Sequence, residues 1–230
     1  HFATLSIANN DADESPFDFS IQGLGEDLTA PSGYAVAFNQ PSVNAANGTA
    51  VSFSFAAAEV GADYDYTITS DNGGTPVSGS GTIATATDTI SGIDVSGLND
   101  GTLTLSVTLT DGSGNTGSAA TDTVNKDATA PSGYSVSLGQ DPVTAANETA
   151  VSFTFAGGEA SADYAYTISS NNGGTDVTGS GTLSGATDTI SGIDVSGLND
   201  GTLTLSVTLI DPAGNTGAAA TDTAEKDAGA

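Results

Sequence analysis

Cysteine, methionine and tryptophan are absent from this chain, and its single histidine is residue 1. Without cysteine there is neither a disulfide framework nor a thiolate metal site, so stability must come from packing or from cations bound by oxygen atoms. Without further histidines, histidine-based acid–base catalysis, catalytic triads and zinc sites are excluded from positions 2–230. Paired carboxylates remain, but a carboxyl group becomes a catalyst only in a dry pocket with a partner. The sequence therefore predicts a protein that is not an enzyme.

Positive charge is nearly absent as well. Lys126 and Lys226 stand against 28 acidic residues, and the formal net charge is −26. Such a surface repels nucleic acid and anionic membranes, so neither is an expected partner. Two interpretations of the charge stay open: it serves solubility alone, or bound divalent cations or a salty medium relieve the self-repulsion. Both lysines lie at the linkers between repeats, where we do not expect them to be buried.

Long apolar runs are also missing, because no stretch approaches the ~20 residues that a membrane-spanning helix requires. We therefore expect no membrane insertion in this segment. No signal peptide is recognisable, and Ala230 matches the first residue of each repeat, Ala30 and Ala130. These features lead us to expect a piece of a longer chain.

The feature that organises the chain is an internal repeat. The stretch Thr87–Leu109 recurs letter for letter as Thr187–Leu209, and the similarity extends without a gap from Ala30–Thr129 to Ala130–Gly229. A period of one hundred residues suits a small domain that buries its own core. The sequence predicts two such domains, repeat 1 (residues 26–129) and repeat 2 (residues 130–229).

The pattern within each repeat is that of β-strands. In Thr102–Leu109 leucine and valine alternate with threonine and serine, so one face is apolar and the other polar. Glycine, asparagine and aspartate cluster in the turns between such runs, and no stretch has helical periodicity. We therefore predict an all-β chain of tandem immunoglobulin-like antiparallel β-sandwiches with seven strands each. The predicted core contains Phe53, Phe55, Leu103, Leu105, Val107 and their equivalents one hundred positions later.

Residues 1–25 stand outside the repeat. Their pattern predicts two strands around an acidic turn, Asn9–Pro16. An isolated hairpin is at best marginally stable in water. We interpret the segment either as the remnant of a preceding sandwich or as strands donated to another chain. The sequence ATLSIANNDADESPFDFSIQGLG resembles the last two strands of choice-of-anchor D, or abnormal-spindle-like, immunoglobulin-type domains.

Acidic residues gather at the predicted boundaries between repeats. In an immunoglobulin-like sandwich the chain enters at the pole that carries the BC and FG loops, so each linker aspartate should approach acids of those loops. The predicted Ca²⁺ ligands are Asp27, Glu59, Asp63, Asp111 and Asn115; Asp127, Glu159, Asp163, Asp211 and Asn215; and Asp227 at the last boundary. Carboxylate and amide oxygens are what Ca²⁺ prefers. The alternative is ordinary turn formation, since Asp and Asn followed by Gly are common turn residues.

A family resemblance rests on four motifs: APSGY, AANxTAVSFxF, SGIDVSGLNDGTLTLSVTLxDxxGNTG and KDATAP. Together they resemble the tandem bacterial immunoglobulin-like repeats of giant surface adhesins, including those of gliding Bacteroidetes. The resemblance implies a stalk at the bacterial cell surface, outside the cell, often with calcium stiffening the linkers. It also implies that the partners are neighbouring repeats of the same chain, and other copies if the protein forms a filament.

Two functions follow from the sequence. The first is a structural stalk or spacer of a large secreted surface adhesin or extracellular filament. The alternative is a ligand- or carbohydrate-binding accessory module of a secreted enzyme. Sugar-binding platforms usually need exposed aromatic faces, above all tryptophan, and this chain has none. Ice binding by rows of threonine is disfavoured, because twisted sandwich sheets make poor flat templates.

Overall fold

The computed structural model describes residues 27–229 in full and the backbone of two strands before them, Phe2–Ile7 (β1) and Phe17–Gln22 (β2). These strands pair antiparallel in a sheet of their own, with Phe2 opposite Gln22 and Ile7 opposite Phe17. The two predicted N-terminal strands are thus confirmed. The predicted turn Asn9–Pro16 lies outside the described residues.

Repeat 1 is a sandwich of two antiparallel sheets. One sheet has the strand order β3-β4-β7 and the other the order β6-β5-β8-β9. The strands are β3 (Ala35–Phe38), β4 (Val51–Ala56), β5 (Asp63–Ser70), β6 (Val77–Thr82), β7 (Thr89–Ile93), β8 (Gly101–Thr110) and β9 (Ala120–Lys126).

Repeat 2 has the same arrangement one hundred residues later, with sheets β10-β11-β14 and β13-β12-β15-β16. Its strands are β10 (Ser135–Leu138), β11 (Val151–Ala156), β12 (Asp163–Ser170), β13 (Val177–Thr182), β14 (Thr189–Ile193), β15 (Gly201–Ile210) and β16 (Ala220–Lys226). The all-β, immunoglobulin-like fold class is therefore confirmed. The division into domains 26–129 and 130–229 stays a prediction about independent folding.

The core of each repeat lies between its two sheets. In β8 every second side chain is buried and its neighbours are partly exposed, as the alternation predicted. The predicted core residues are buried in both repeats, and Phe53 and Phe153 are 0% exposed. The edge-on packing of Phe53 against Phe55 and Tyr66 fills the middle of the first core.

Two tyrosines explain the alternating glycines of the edge strand β6. Tyr64 and Tyr66 of β5 reach across their neighbour β6, where they lie over Gly81 and Gly79. A Cβ atom at Gly79 would lie 2.6 Å from the Tyr66 ring, which is too close for any other residue. The tyrosines therefore serve packing, and the same contacts recur in repeat 2.

Side-chain hydrogen bonds tie the two sheets of repeat 1 together. The Tyr34 hydroxyl donates to the Ser118 carbonyl (2.6 Å) and accepts from the Leu109 amide (3.2 Å). The Phe38 amide of β3 donates to the Asp122 carboxylate of β9 at 2.8 Å. In the described residues no helix is long and apolar enough to cross a membrane.

Candidate functional site at the junction between repeats

We call the end of each repeat that carries loop 111–115 or 211–215 its head, and the end that carries turn 44–48 or 144–148 its tail. At the junction, the tail of repeat 1 meets the head of repeat 2. The backbone of Asp127 is held from both sides: its amide donates to the Val43 carbonyl at 2.9 Å, and its carbonyl accepts from the Asn215 side-chain amide at 2.9 Å. The Thr129 backbone amide donates a hydrogen bond to the Asp127 carboxylate at 3.1 Å, which shapes the linker as an Asx turn.

Asn215 is set by the head loop of repeat 2. Its backbone amide and its side-chain Nδ2 donate to the two oxygens of the Asp211 carboxylate, both at 2.8 Å. Gly214, with φ of +91°, makes the tight turn that allows this return. Asn215 is 4% exposed and Asp211 is 4% exposed, so the pair is buried and mutually satisfied.

The tail of repeat 1 contributes the turn that begins at Asn44. Asn44 Nδ2 donates to the Ala213 carbonyl at 2.7 Å, and the Ala45 amide donates to Asn215 Oδ1 at 3.0 Å. Asn44 Oδ1 meanwhile accepts the amides of Ala46 and Asn47, which holds its own turn in place. Three hydrogen bonds thus join residues 213–215 to the rest of the junction. Asn215 donates one to the linker, and the tail of repeat 1 donates the other two.

The head of repeat 1 repeats this loop. Asn115 Nδ2 donates to the Asp27 carbonyl at 2.7 Å and to the Asp111 carboxylate at 2.8 Å. The hydrogen bond from the Asn115 side chain, with further ones from backbone amides, lowers the pKa of Asp111 below its ordinary value. Asn115 is partly exposed where Asn215 is buried.

A buried lysine closes the tail of each repeat. The Lys126 ammonium lies 2.7 Å from an Asp100 oxygen, and the Thr129 hydroxyl donates to the other oxygen of Asp100 at 2.7 Å. In repeat 2 Lys226 donates to the Leu198 carbonyl at 2.8 Å and lies 2.9 Å from Glu148. Both lysine side chains are 4% exposed, so the expectation that they are not buried was wrong. Each lysine is the last residue of the last strand of its repeat, β9 or β16.

Asp100 and Asp200 hold the chain where it leaves each tail. Burial raises the pKa of Asp100, but the hydrogen bonds from Lys126 and Thr129 lower it more, so the net shift is downward. Asp200 accepts the backbone amides of Ala228 and Gly229, both at 2.9 Å. The sequence analysis missed these anchors, although the only two lysines of the chain recur at one position of the repeat.

The acids predicted to bind calcium are only partly brought together. Glu159 is exposed, but partial desolvation and the negative charges of Asp211 and Asp127 raise its pKa, so the three acids influence one another across the junction. Asp63 and Asp163 instead accept the hydroxyls of Thr82 and Thr182 on the neighbouring strands. The remaining predicted ligands are placed as follows: Glu59 is exposed in its loop, Asp27 accepts the Thr29 amide, and Asp227 donates its amide to Val143 at the tail of repeat 2.

The fit of this site to a metal ion is incomplete. Between residues 27 and 229 no group of three or more His, Cys, Asp or Glu side chains is close enough to hold one. Asp211 already accepts two bonds from Asn215, and the Asn215 oxygen already accepts the Ala45 amide. Partial desolvation and the charges of Asp211 and Asp127 raise the pKa of Glu159. Calcium binding stays a prediction.

Comparison with known proteins gives matches among solved structures. No protein-family model matches the chain, and no curated protein matches it. A tetra-tandem repeat from the extending region of a large adhesion protein is 23% identical, with a TM-score of 0.44, over 95% of this chain and 55% of that chain. The chain therefore spans about half the length of that structure.

Two further solved structures also match. One comes from a study of the host cell surface retention of a 1.5-MDa bacterial ice-binding adhesin, at 22% identity and a TM-score of 0.49, over 86% of this chain and 67% of that chain. The other contains the fibronectin(III)-like modules of Clostridium thermocellum CbhA, at 13% identity and a TM-score of 0.39, over 84% of this chain and 93% of that chain. The resemblances to Bacteroidetes repeats and to choice-of-anchor D domains stay predictions.

Proposed function

We propose that this chain is a structural spacer: tandem sandwiches of a large bacterial surface adhesin or extracellular filament, joined head to tail and acting outside the cell. The observation that carries the proposal is the junction. Two hydrogen bonds run from the tail of repeat 1 to the head of repeat 2, and Asp127 is held by both repeats. Such a linker resists bending, because a change of angle breaks bonds whose polar groups are then left partly buried.

The partners in this proposal are neighbouring repeats of the same chain. A linker held at both sides transmits force from one sandwich to the next without a free segment between them. The proposal includes no catalytic role. Asp111 and Asp211 accept hydrogen bonds within their own loops, so both carboxylates are used in building those loops.

Calcium is the second part of the proposal. What supports it is the electrostatics of Glu159, whose carboxylate is repelled by Asp127 and Asp211. A cation at Glu159 would offset that repulsion. It would hold the junction together in addition to the hydrogen bonds of Asn215. Binding to the folded state alone stabilises by roughly 2.7 kcal/mol at a free concentration one hundred times the dissociation constant.

The alternative, a carbohydrate-binding accessory module, has less support. Among the described residues Tyr64 is buried, and Tyr34 and Tyr66 pack against the core, so these rings do not form an exposed platform. A glycan array separates the two functions. A spacer binds none of the glycans above background, whereas a carbohydrate-binding module retains a defined subset.

Small-angle X-ray scattering of the full chain tests the spacer directly. A stiff junction gives a maximum dimension close to that of two sandwiches end to end, and adding chelator should change this dimension little. Calcium is expected to narrow the distribution of shapes further. A broad distribution of dimensions in both conditions would contradict the proposal.

A further inference from the structure

The two tails of this chain differ at the residue that contacts the next head. At the junction described above, Asn44 donates to the Ala213 carbonyl at 2.7 Å. Repeat 2 carries threonine at the equivalent position, Thr144, and glutamate in place of Gly48, where Glu148 lies 2.9 Å from the Lys226 ammonium. In both turns the first amide donates to the fourth side chain, from Asn44 to Asn47 at 2.8 Å and from Thr144 to Asn147 at 2.7 Å.

Asparagine does two things at this position, and threonine can do only one. The Asn44 oxygen caps its own turn while its Nδ2 group reaches the facing loop. Threonine has one hydroxyl on a side chain that is one bond shorter, and it has no amide donor. It can cap a turn, but it cannot also reach a carbonyl in the position of Ala213.

We infer that the tail of each repeat is a docking surface for the Asp-x-x-Gly-Asn head loop of another copy of this module, and that residue 44 or 144 sets how tightly the head is held. The occupant follows from continuity with the junction, where the same surface of repeat 1 holds residues 213–215. The tail of repeat 2 keeps the backbone amide of Ala145 but lacks the amide side chain. A module docked there is therefore held by one bond fewer than repeat 2 is held by repeat 1.

The inference rests on the proposed spacer function and adds a specific consequence to it. Stiffness varies along the array, junction by junction, according to one residue. A tail with asparagine makes a stiff junction, and a tail with threonine makes a looser one. Loss of one neutral hydrogen bond corresponds to about a three- to tenfold rise in the undocked fraction.

The absence of cysteine makes a distance measurement straightforward. Spin labels at Ser80→Cys and Ser180→Cys, both exposed on edge strands, report the separation of the two repeats in the full chain. We expect N44T to broaden the distance distribution. The turn itself is expected to stay folded, because Thr144 occupies the same turn in repeat 2. T144N is the matched control and should leave this distribution unchanged, since Thr144 lies at the far end of repeat 2.

A longer chain tests the tail of repeat 2. A second copy of residues 130–229 is joined after Gly229, and labels are placed at Ser180→Cys and at the equivalent serine of the added copy. The distribution across this junction should be broader than that across the first, and T144N should narrow it. An unchanged distribution in N44T, or an unchanged second junction in T144N, would overturn the inference. If Asn215→Ala also has no effect, the proposed spacer junction fails; if Asn215→Ala broadens the distribution and N44T does not, only the role of residue 44 fails.

Discussion

The side-chain amide of Asn215 lies 2.9 Å from the backbone carbonyl of Asp127, and this bond fastens repeat 2 to the linker that precedes it. The amide of the same aspartate is bonded to Val43 of repeat 1, also at 2.9 Å. One residue thus has its donor held by one sandwich and its acceptor held by the next. The linker is part of both structures.

The core of repeat 2 can be tested without disturbing repeat 1. Phe153 is fully buried and packs edge-on against Phe155 and Tyr166. We expect Phe153→Ala to cost repeat 2 about 3–5 kcal/mol, from lost packing and a residual cavity. Chemical denaturation should then separate into two transitions, with that of repeat 1 shifted far less than that of repeat 2.

The control for this substitution is Thr204→Ala, which removes an exposed side chain from β15. A shift of less than about 1 kcal/mol in Phe153→Ala would show that this face is not the core. A single transition that moves as a whole would show that the two repeats do not unfold independently.

The stability of repeat 1 should fall in acid through Asp100. The pKa of Asp100 in the folded protein lies below its ordinary value of 3.8, so its stabilising effect is complete above that value and is lost as the pH falls through the folded pKa. Asp100→Asn should therefore lower stability near neutral pH and weaken the dependence of the unfolding free energy on pH below 3.8. Asp65→Asn, at an exposed position of β5, is the control. Equal acid sensitivity in the wild type and Asp100→Asn would contradict the assigned role.

The ionised carboxylate of Glu159 should affect stability in the opposite direction to that of Asp100. Partial desolvation and the charges of Asp211 and Asp127 raise its pKa above the ordinary 4.5, so its ionised form destabilises the folded protein at neutral pH. That cost disappears as the pH falls through the folded pKa and then below 4.5. Without added cations, Glu159→Gln should stabilise the protein at pH 7 and have no effect well below 4.5.

Calcium should act at the same carboxylate. Isothermal titration calorimetry on the wild type is expected to detect Ca²⁺ binding at millimolar concentration, and Glu159→Gln should remove it. Asp65→Asn should bind as the wild type does. If the wild type gives no binding heat at millimolar Ca²⁺, Glu159 is only a solvated surface charge, and the stiffness of the spacer comes from direct contacts alone.

Removal of residues 1–25 should leave the melting of both repeats nearly unchanged. The reason is that β1 and β2 pair with each other in a separate sheet. Calorimetry of the full and shortened chains measures this, and sedimentation compares their assembly. Loss of oligomers or fibres on deletion would instead identify the segment as strands donated to a neighbouring chain.

The fold was predictable because its signal is local. In Gly101–Thr110 the alternation of apolar and polar residues assigns each side chain to one face, and the exact repeat doubles the evidence. The site was predictable only in position. The sequence led us to expect Asp127, Glu159 and Asp211 in one region, because the linker and the loops of a sandwich meet at its pole.

The chemistry of the junction was less predictable. Asn215 was expected to offer an oxygen to calcium, but its oxygen accepts the Ala45 amide and its nitrogen binds Asp127. Which atom of an amide is used depends on how the two modules sit, and no pattern within one repeat encodes that. A comparison of the repeats at Asn44 and Thr144 was the available signal, since a difference within such similar turns marks a contact outside them.

The most direct test of the spacer is the distance distribution between labels at Ser80→Cys and Ser180→Cys in Asn215→Ala, measured in chelator. Asn115→Ala is the matched control, because it disrupts the same loop in repeat 1 without touching the junction with repeat 2. We predict a narrow distribution in the wild type and in Asn115→Ala, and a broad one in Asn215→Ala. A broad distribution in the wild type, or a narrow one in Asn215→Ala, would contradict a junction held by direct bonds.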